Sequence, residues 1–185
     1  MKTNLTIPVL GVLSFLLTVA CVKDTDFDQA EEVLLTPVVE LDLIYFNLEA
    51  EEFYDEATNS EILTVTDTTE IRFLDDTEIQ ESLVKAEFFF RFTNSIPRDF
   101  TVDFDFLSEQ GELTYSTGTN VSSGDTQDPV ITEFTETVEG DEITQLTMAD
   151  RVVVSVTIPS SNASLQGALN LKSKTTYFLE ITDRE

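Results

Sequence analysis

Residues 83–107 read LVKAEFFFRFTNSIPRDFTVDFDFL, and two patterns of period two run through them. In the first, Ala86, Phe88, Phe90 and Phe92 share one side, against Lys85, Glu87, Phe89 and Arg91. In the second, Phe100, Val102, Phe104 and Phe106 alternate with Thr101, Asp103 and Asp105. Alternation over such lengths is the signature of a strand buried on one face, because successive side chains point to opposite sides of a sheet. Asn94-Ser95-Ile96-Pro97-Arg98-Asp99 between them carries turn chemistry. The pair is therefore expected to form an antiparallel hairpin. Burying a Phe side chain is worth about 1.5–3 kcal/mol, so this Phe-rich segment is expected at the centre of the core.

The same period extends outward in both directions. Val38–Leu48 alternates as Val39, Leu41 and Leu43, then changes phase so that Ile44, Phe46 and Leu48 share a face. Such a slip predicts a bulge or bend inside one strand. Short strands are read at 62–65 and 70–74, and a charged edge strand at 130–138, where charge discourages pairing with other chains. Arg151–Ile158 aligns Val152, Val154, Val156 and Ile158. Residues 168–171 and 175–182 read as two closing strands, with Tyr177, Leu179 and Ile181 inward. Residues 49–60 and 117–129 read as loops, and 143–148 as a strand or an irregular link. No amphipathic helix is expected beyond residue 20. The fold class that follows is all-β: an antiparallel β-sandwich of immunoglobulin-like architecture with about 8–10 strands. The core Trp and paired cysteines of antibody domains are absent, so that family in the narrow sense is not implied.

Composition limits the chemistry. The chain has 185 residues, with 41% hydrophobic and 25% charged, which is a globular profile. Lys+Arg is 10 against Asp+Glu 36, a net charge of −26. This field repels phosphate backbones and anionic membrane surfaces, so no nucleic acid is expected as a partner. Charge of this size also serves solubility, and it says nothing of fold. There is one Cys and no His. No intrachain disulfide, no Cys/His zinc site and no histidine-based triad can be built.

The N-terminus has the layout of an export signal. Lys2 precedes an apolar stretch centred on Val9–Leu17, and small Ala20 stands before Cys21. A spanning helix needs about 20 mostly apolar residues. Asn4, Thr6, Pro8, Gly11, Ser14 and Thr18 dilute this stretch, which favours a cleaved signal over an anchor helix.

Leu17-Thr18-Val19-Ala20-Cys21 resembles a bacterial lipobox, with Leu one position earlier than usual. Val22-Lys23-Asp24-Thr25-Asp26-Phe27-Asp28 resembles the acidic export signal of Bacteroidota surface lipoproteins. The resemblance covers about 28 residues and implies acylation of Cys21, which would become the mature N-terminus. It implies an outer-membrane lipoprotein of the cell envelope, surface-exposed or facing the periplasm, held to the membrane through Cys21. More than one acyl chain is needed for stable anchoring, at about 0.8 kcal/mol per buried methylene. The alternative for Cys21 is a buried free thiol. The expected organisation is a signal peptide over 1–20, a lipidated acidic tether over 21–36, extended by self-repulsion, and a β-sandwich over 37–185.

Candidate sites are sparse. Asp24, Asp26 and Asp28 have the spacing that opens a calcium loop, but Gln29 and Leu35 stand where Gly and Glu would be required. Calcium is otherwise conceivable at Asp75-Asp76, at Asp125 and Asp128, or at Glu139, Asp141 and Glu142, against the plain reading of solvated loops. No other cofactor is implied. Carboxylate pairs can hydrolyse glycosides, and Asp103 with Asp105 is one pair, though on an outward strand face. Ser173 and Lys174 are adjacent, which on a strand points them apart. Phe53, Tyr54, Phe89 and Phe178 stand among polar residues and form a candidate contact set for a protein partner. The alternative is that they belong to a second buried face or a satellite cluster. Three functional classes follow: a non-enzymatic structural or binding subunit of an envelope assembly, a surface module that captures a glycan or other ligand, and a carboxylate-based hydrolase.

Overall fold

The computed structural model describes residues 34–182. The folded unit runs from Leu35 to Ile181. The signal expected over residues 1–20, the Cys21 acylation site and the tether up to residue 33 lie outside the described residues.

Eight long strands build the sandwich: β1 (Val38–Glu49), β2 (Thr64–Glu70), β3 (Leu83–Asn94), β4 (Phe100–Leu107), β5 (Leu113–Val121), β6 (Val130–Glu139), β7 (Arg151–Thr157) and β8 (Ala168–Leu179). They form two four-stranded antiparallel sheets, ordered β1-β8-β3-β6 and β2-β7-β4-β5. The all-β sandwich expected from alternation is thus what the chain forms. Its connectivity is that of an eight-stranded jelly roll, two interlocked Greek keys. Immunoglobulin domains instead pack an ABED sheet on a CFG sheet.

The quoted stretch behaves differently from the hairpin expected of it. β3 and β4 lie in opposite sheets and do not pair. Their inward rows meet across the sandwich: the Phe90 ring stacks on Phe104 at 4.1 Å between centroids, and Phe88 meets Phe106 at 5.0 Å. The reason is that alternation states which side of a strand is apolar, and that side can face a neighbouring layer as well as share a face with a hairpin mate. The expectation that these phenylalanines form the centre of the core holds, since all four are fully buried.

The phase slip in β1 is a real bulge. The β1–β8 register runs Tyr45↔Lys172 and then Asp42↔Lys174, so Leu43 and Ile44 together oppose Ser173. Ser173 Oγ fills the gap: it accepts from the Ile44 N–H at 3.0 Å and donates to the Ile44 carbonyl at 2.7 Å. The hydroxyl satisfies backbone groups that the bulge removes from the ladder.

Two short helices interrupt the strands, α1 (Thr77–Ser82) and α2 (Asp141–Leu146). Asp76 caps α1 by accepting from the N–H groups of Glu78 and Ile79. α2 buries Ile143 and Leu146, and it replaces the strand or link read at 143–148. Each helix is under two turns long, too short for a helical period to show in sequence.

One end of the sandwich is held by Asn94. This side chain is fully buried. Its Nδ2 donates to the carbonyls of Arg98 and Ser122, both at 2.9 Å, and its Oδ1 accepts from the Ile96 N–H at 2.8 Å. It therefore joins the β3–β4 corner to the loop after β5. Gly124 packs so close to this corner that a Cβ there would sit 1.8 Å from the Asn94 carbonyl oxygen.

Candidate functional site

The outer face of the β1-β8-β3-β6 sheet gathers the scarce cations. Strand register sets its rows. Tyr45, Lys172, Arg91 and Glu133 lie side by side across the four strands. The next row is Asp42, Lys174, Phe89 and Thr135, followed by Glu40, Thr176, Glu87 and Thr137, then Val38, Phe178, Lys85 and Glu139. Among the described bases, Arg72, Arg98 and Arg151 are dispersed, whereas Lys85, Arg91, Lys172 and Lys174 share this one face. Three of these four are paired: Lys85 with Glu87, Arg91 with Glu133, and Lys174 with Glu40. Lys172 has no ion pair among the described residues, and it faces Arg91 directly across the ladder. Tyr45 beside it is 81% exposed.

The four aromatic residues singled out from sequence separate on this geometry. Phe89 and Phe178 lie half-buried on this face, and Lys85 Nζ sits 4.0 Å above the Phe178 ring. Phe53 is not a surface residue. It closes a short 3₁₀ turn over Ala50–Phe53, is fully buried and packs on Phe100 at 5.4 Å. Its acidic neighbours Glu51 and Glu52 point to solvent while the turn rotates Phe53 inward, which explains why a polar context was misleading. Tyr54 is half-buried on the short Tyr54–Asp55/Ser60–Glu61 ribbon and donates its hydroxyl to Asn59 Oδ1 at 2.7 Å. The set therefore does not form one patch. Tyr45, the most exposed aromatic described on this sheet, follows the bulge directly, within a stretch whose sequence pattern is that of a core strand.

The remaining candidates are engaged locally. Asp125 accepts from the Gln127 N–H and Asp76 caps α1. Glu139 stands opposite Lys85, and Asp141 and Glu142 occupy the first turn of α2. Among the described residues no three acidic side chains are gathered as metal ligands. Ser173 is committed to the β1 bulge and Lys174 to Glu40, so the two are not joined as a dyad. Asp103 and Asp105 project from β4 onto the other outer face, opposite Gly118 and Ser116.

Two open clefts flank the sandwich. The larger, about 840 Å³, lies between the segment after β4 and the end of α2, and it includes Gln80, Glu109, Glu112, Gln145, Met148 and Asp150. The smaller, about 320 Å³, is bordered by Arg98, Asp125, Asn162 and Gln166.

A different carboxylate locks the open side of the sandwich. Glu136 occupies an inward position of edge strand β6. It accepts from the Tyr115 hydroxyl at 2.8 Å and from the Thr117 hydroxyl at 3.0 Å, both on edge strand β5. Burial, then the bond to Glu136, holds the Tyr115 phenol well above its ordinary pKa. Burial likewise pushes Tyr177 up to about 12. On the surface, the Thr58 hydroxyl and then the N–H groups of Ala57 and Thr58 hold the Asp55 carboxyl below its usual value.

No protein-family model matches the chain, and no curated protein matches it. Solved structures do resemble it at low identity. A candidate secreted protein from Parabacteroides distasonis is 11% identical, with 62% of this chain and 37% of that chain covered and a TM-score of 0.47. The infectious bursal disease virus VP2 subviral particle is 11% identical over 77% of this chain and 32% of that chain, with a TM-score of 0.47. The enzymatically active domain of tailspike protein 4 from bacteriophage CBA120 is 12% identical over 80% of this chain and 19% of that chain, with a TM-score of 0.37. The chain spans about a third of the length of the first of these structures. Likeness of this order says nothing of activity. No described helix is long and apolar enough to cross a membrane.

Proposed function

We propose that this chain is a lipid-anchored, non-enzymatic binding or structural subunit of a bacterial cell envelope, exported and held at the outer membrane through Cys21. The observation that carries the reading is the boundary at Leu17–Cys21, where an apolar signal-like segment meets a lone cysteine and an acidic run. The folded all-β unit then begins at Leu35, some distance along the chain from that anchor. A rigid sandwich on an acidic tether suits the display of a face to a partner. The groups that could have run hydrolysis support the same reading through their occupations. Ser173 serves the bulge, Lys174 serves an ion pair, and Asp103 and Asp105 stand on an open strand face.

The test is Cys21→Ala in the native host, followed by membrane fractionation and labelling with a radioactive fatty acid. The expected result is loss of label and release from the membrane fraction. A variant that stays in the membrane, beside a wild-type chain that takes up no label, overturns the reading.

A further inference from the structure

The cationic row on the β1-β8-β3-β6 face contains an arrangement that folding alone does not favour. Like charges directly opposite on neighbouring strands are destabilising. In a chain with 10 bases against 36 acids, Lys172 and Arg91 are nevertheless opposite each other, while carboxylates surround the other cations of the face. Arg91 shares its charge with Glu133 on its far side. Lys172 has no acid of its own among the described residues, so the space between Lys172 and Arg91 is where an external anion would lower the energy of the face. Tyr45 completes the row on the other side of Lys172 and presents its ring to solvent.

We infer that this row is a binding subsite for a carboxylated saccharide, a uronic acid unit of a longer glycan. Its carboxylate would bridge the Lys172 ammonium and the Arg91 guanidinium, and the C–H side of its ring would lie on Tyr45. Three features choose this occupant. Adjacent strands stand about 4.8 Å apart, so ring and carboxylate contacts on neighbouring positions match one sugar unit. The strands beneath Lys172 and Arg91, β8 and β3, are paired on both edges, so no peptide can add to them as a strand. A densely charged polyanion or an anionic membrane would meet the acids of the same face, Glu40, Asp42, Glu87, Glu133 and Glu139, whereas a single carboxylate per sugar would meet only the cation pair. The inference deepens the binding role proposed above and rests on it, but not on acylation of Cys21.

The test uses the full chain in detergent and measures binding of oligogalacturonate by calorimetry, beside uncharged dextran, dextran sulfate and phosphatidylglycerol vesicles. Saturable binding of oligogalacturonate is expected, with dextran at least about tenfold weaker, as for loss of a charge-assisted contact. Lys172→Glu should weaken binding at least about tenfold and Tyr45→Ala about fivefold. Lys172→Glu should not lower the melting temperature, because it replaces a like-charge cross-strand pair by an opposite-charge one, and Tyr45→Ala should leave the fold intact because that ring is exposed. Raising salt from about 0.15 M to about 1 M should weaken binding as screening shortens to about 3 Å. No saturable binding, equal binding of dextran, or binding indifferent to both substitutions overturns the inference. So does a preference for dextran sulfate or vesicles, which would assign the row to another anion. None of these outcomes touches the fractionation of Cys21→Ala, so anchoring is judged separately.

Discussion

Asn94→Ala tests whether one buried side chain holds the loop end of this jelly roll. The substitution removes the donors to the carbonyls of Arg98 and Ser122 and the acceptor of the Ile96 N–H. A typical hydrogen bond contributes about 0.5–1.5 kcal/mol net, and a buried group left without a partner costs about 1–3 kcal/mol. Three bonds are lost at once at a fully buried site, but the smaller side chain lets water or backbone shifts recover part of the loss. The expected destabilisation is about 3–4 kcal/mol. With a urea dependence of about 2 kcal/mol per M, the midpoint should fall by about 2 M in a denaturation series followed by circular dichroism. Asn94→Asp gives the sign check. It keeps the acceptor for Ile96 but sets a carboxylate against two carbonyls, so its folded-state pKa is raised above that of the unfolded chain. Its excess cost should be full above the folded pKa and shrink as pH falls toward the unfolded value near 4. A midpoint shift for Asn94→Ala of less than about 0.5 M would refute the reasoning, because the corner would then be held by its other contacts.

Further outcomes follow from the same geometry. Phe90→Ala removes a ring stacked on both Phe104 and Phe134 and should cost about 3–5 kcal/mol, read from the same urea series. Gly124→Ala places a methyl against backbone rather than a movable side chain, so it should destabilise by at least about 1–3 kcal/mol, as overpacking does. Tyr177, pushed up to about 12, binds its proton more tightly folded than unfolded. Its contribution is therefore complete below pH 10 and lost as pH rises toward 12, about 3 kcal/mol in all. Tyr177→Phe should flatten that alkaline loss in melting temperatures measured between pH 9 and 12, and an unchanged slope would show that other groups drive it.

Much of this molecule was legible along the chain, and particular residues show where legibility stopped. The inward rows Phe88–Phe92 and Phe100–Phe106 and the Val row of β7 follow from period two, which is a property of consecutive residues, and the edge position of β6 follows from its charges. The β1 bulge was also legible, because an inserted residue shifts the phase of the pattern itself. The helix α2 was not, since a helix under two turns leaves no period to read.

Strand partners are another matter. β3 and β4 are joined by a short corner and lie in opposite sheets, while Arg91 of β3 meets Lys172 of β8, far away along the chain. Pairing across such separations depends on which loops close and which faces fit, and no local pattern encodes it. That is why neither the contact of Phe53 with Phe100 nor the Tyr45–Lys172–Arg91 row can be seen from sequence. The residues of each strand determine which of its faces is apolar. The tertiary structure alone decides which outward side chains become neighbours, and in this chain that choice brings two scarce cations together beside an exposed ring.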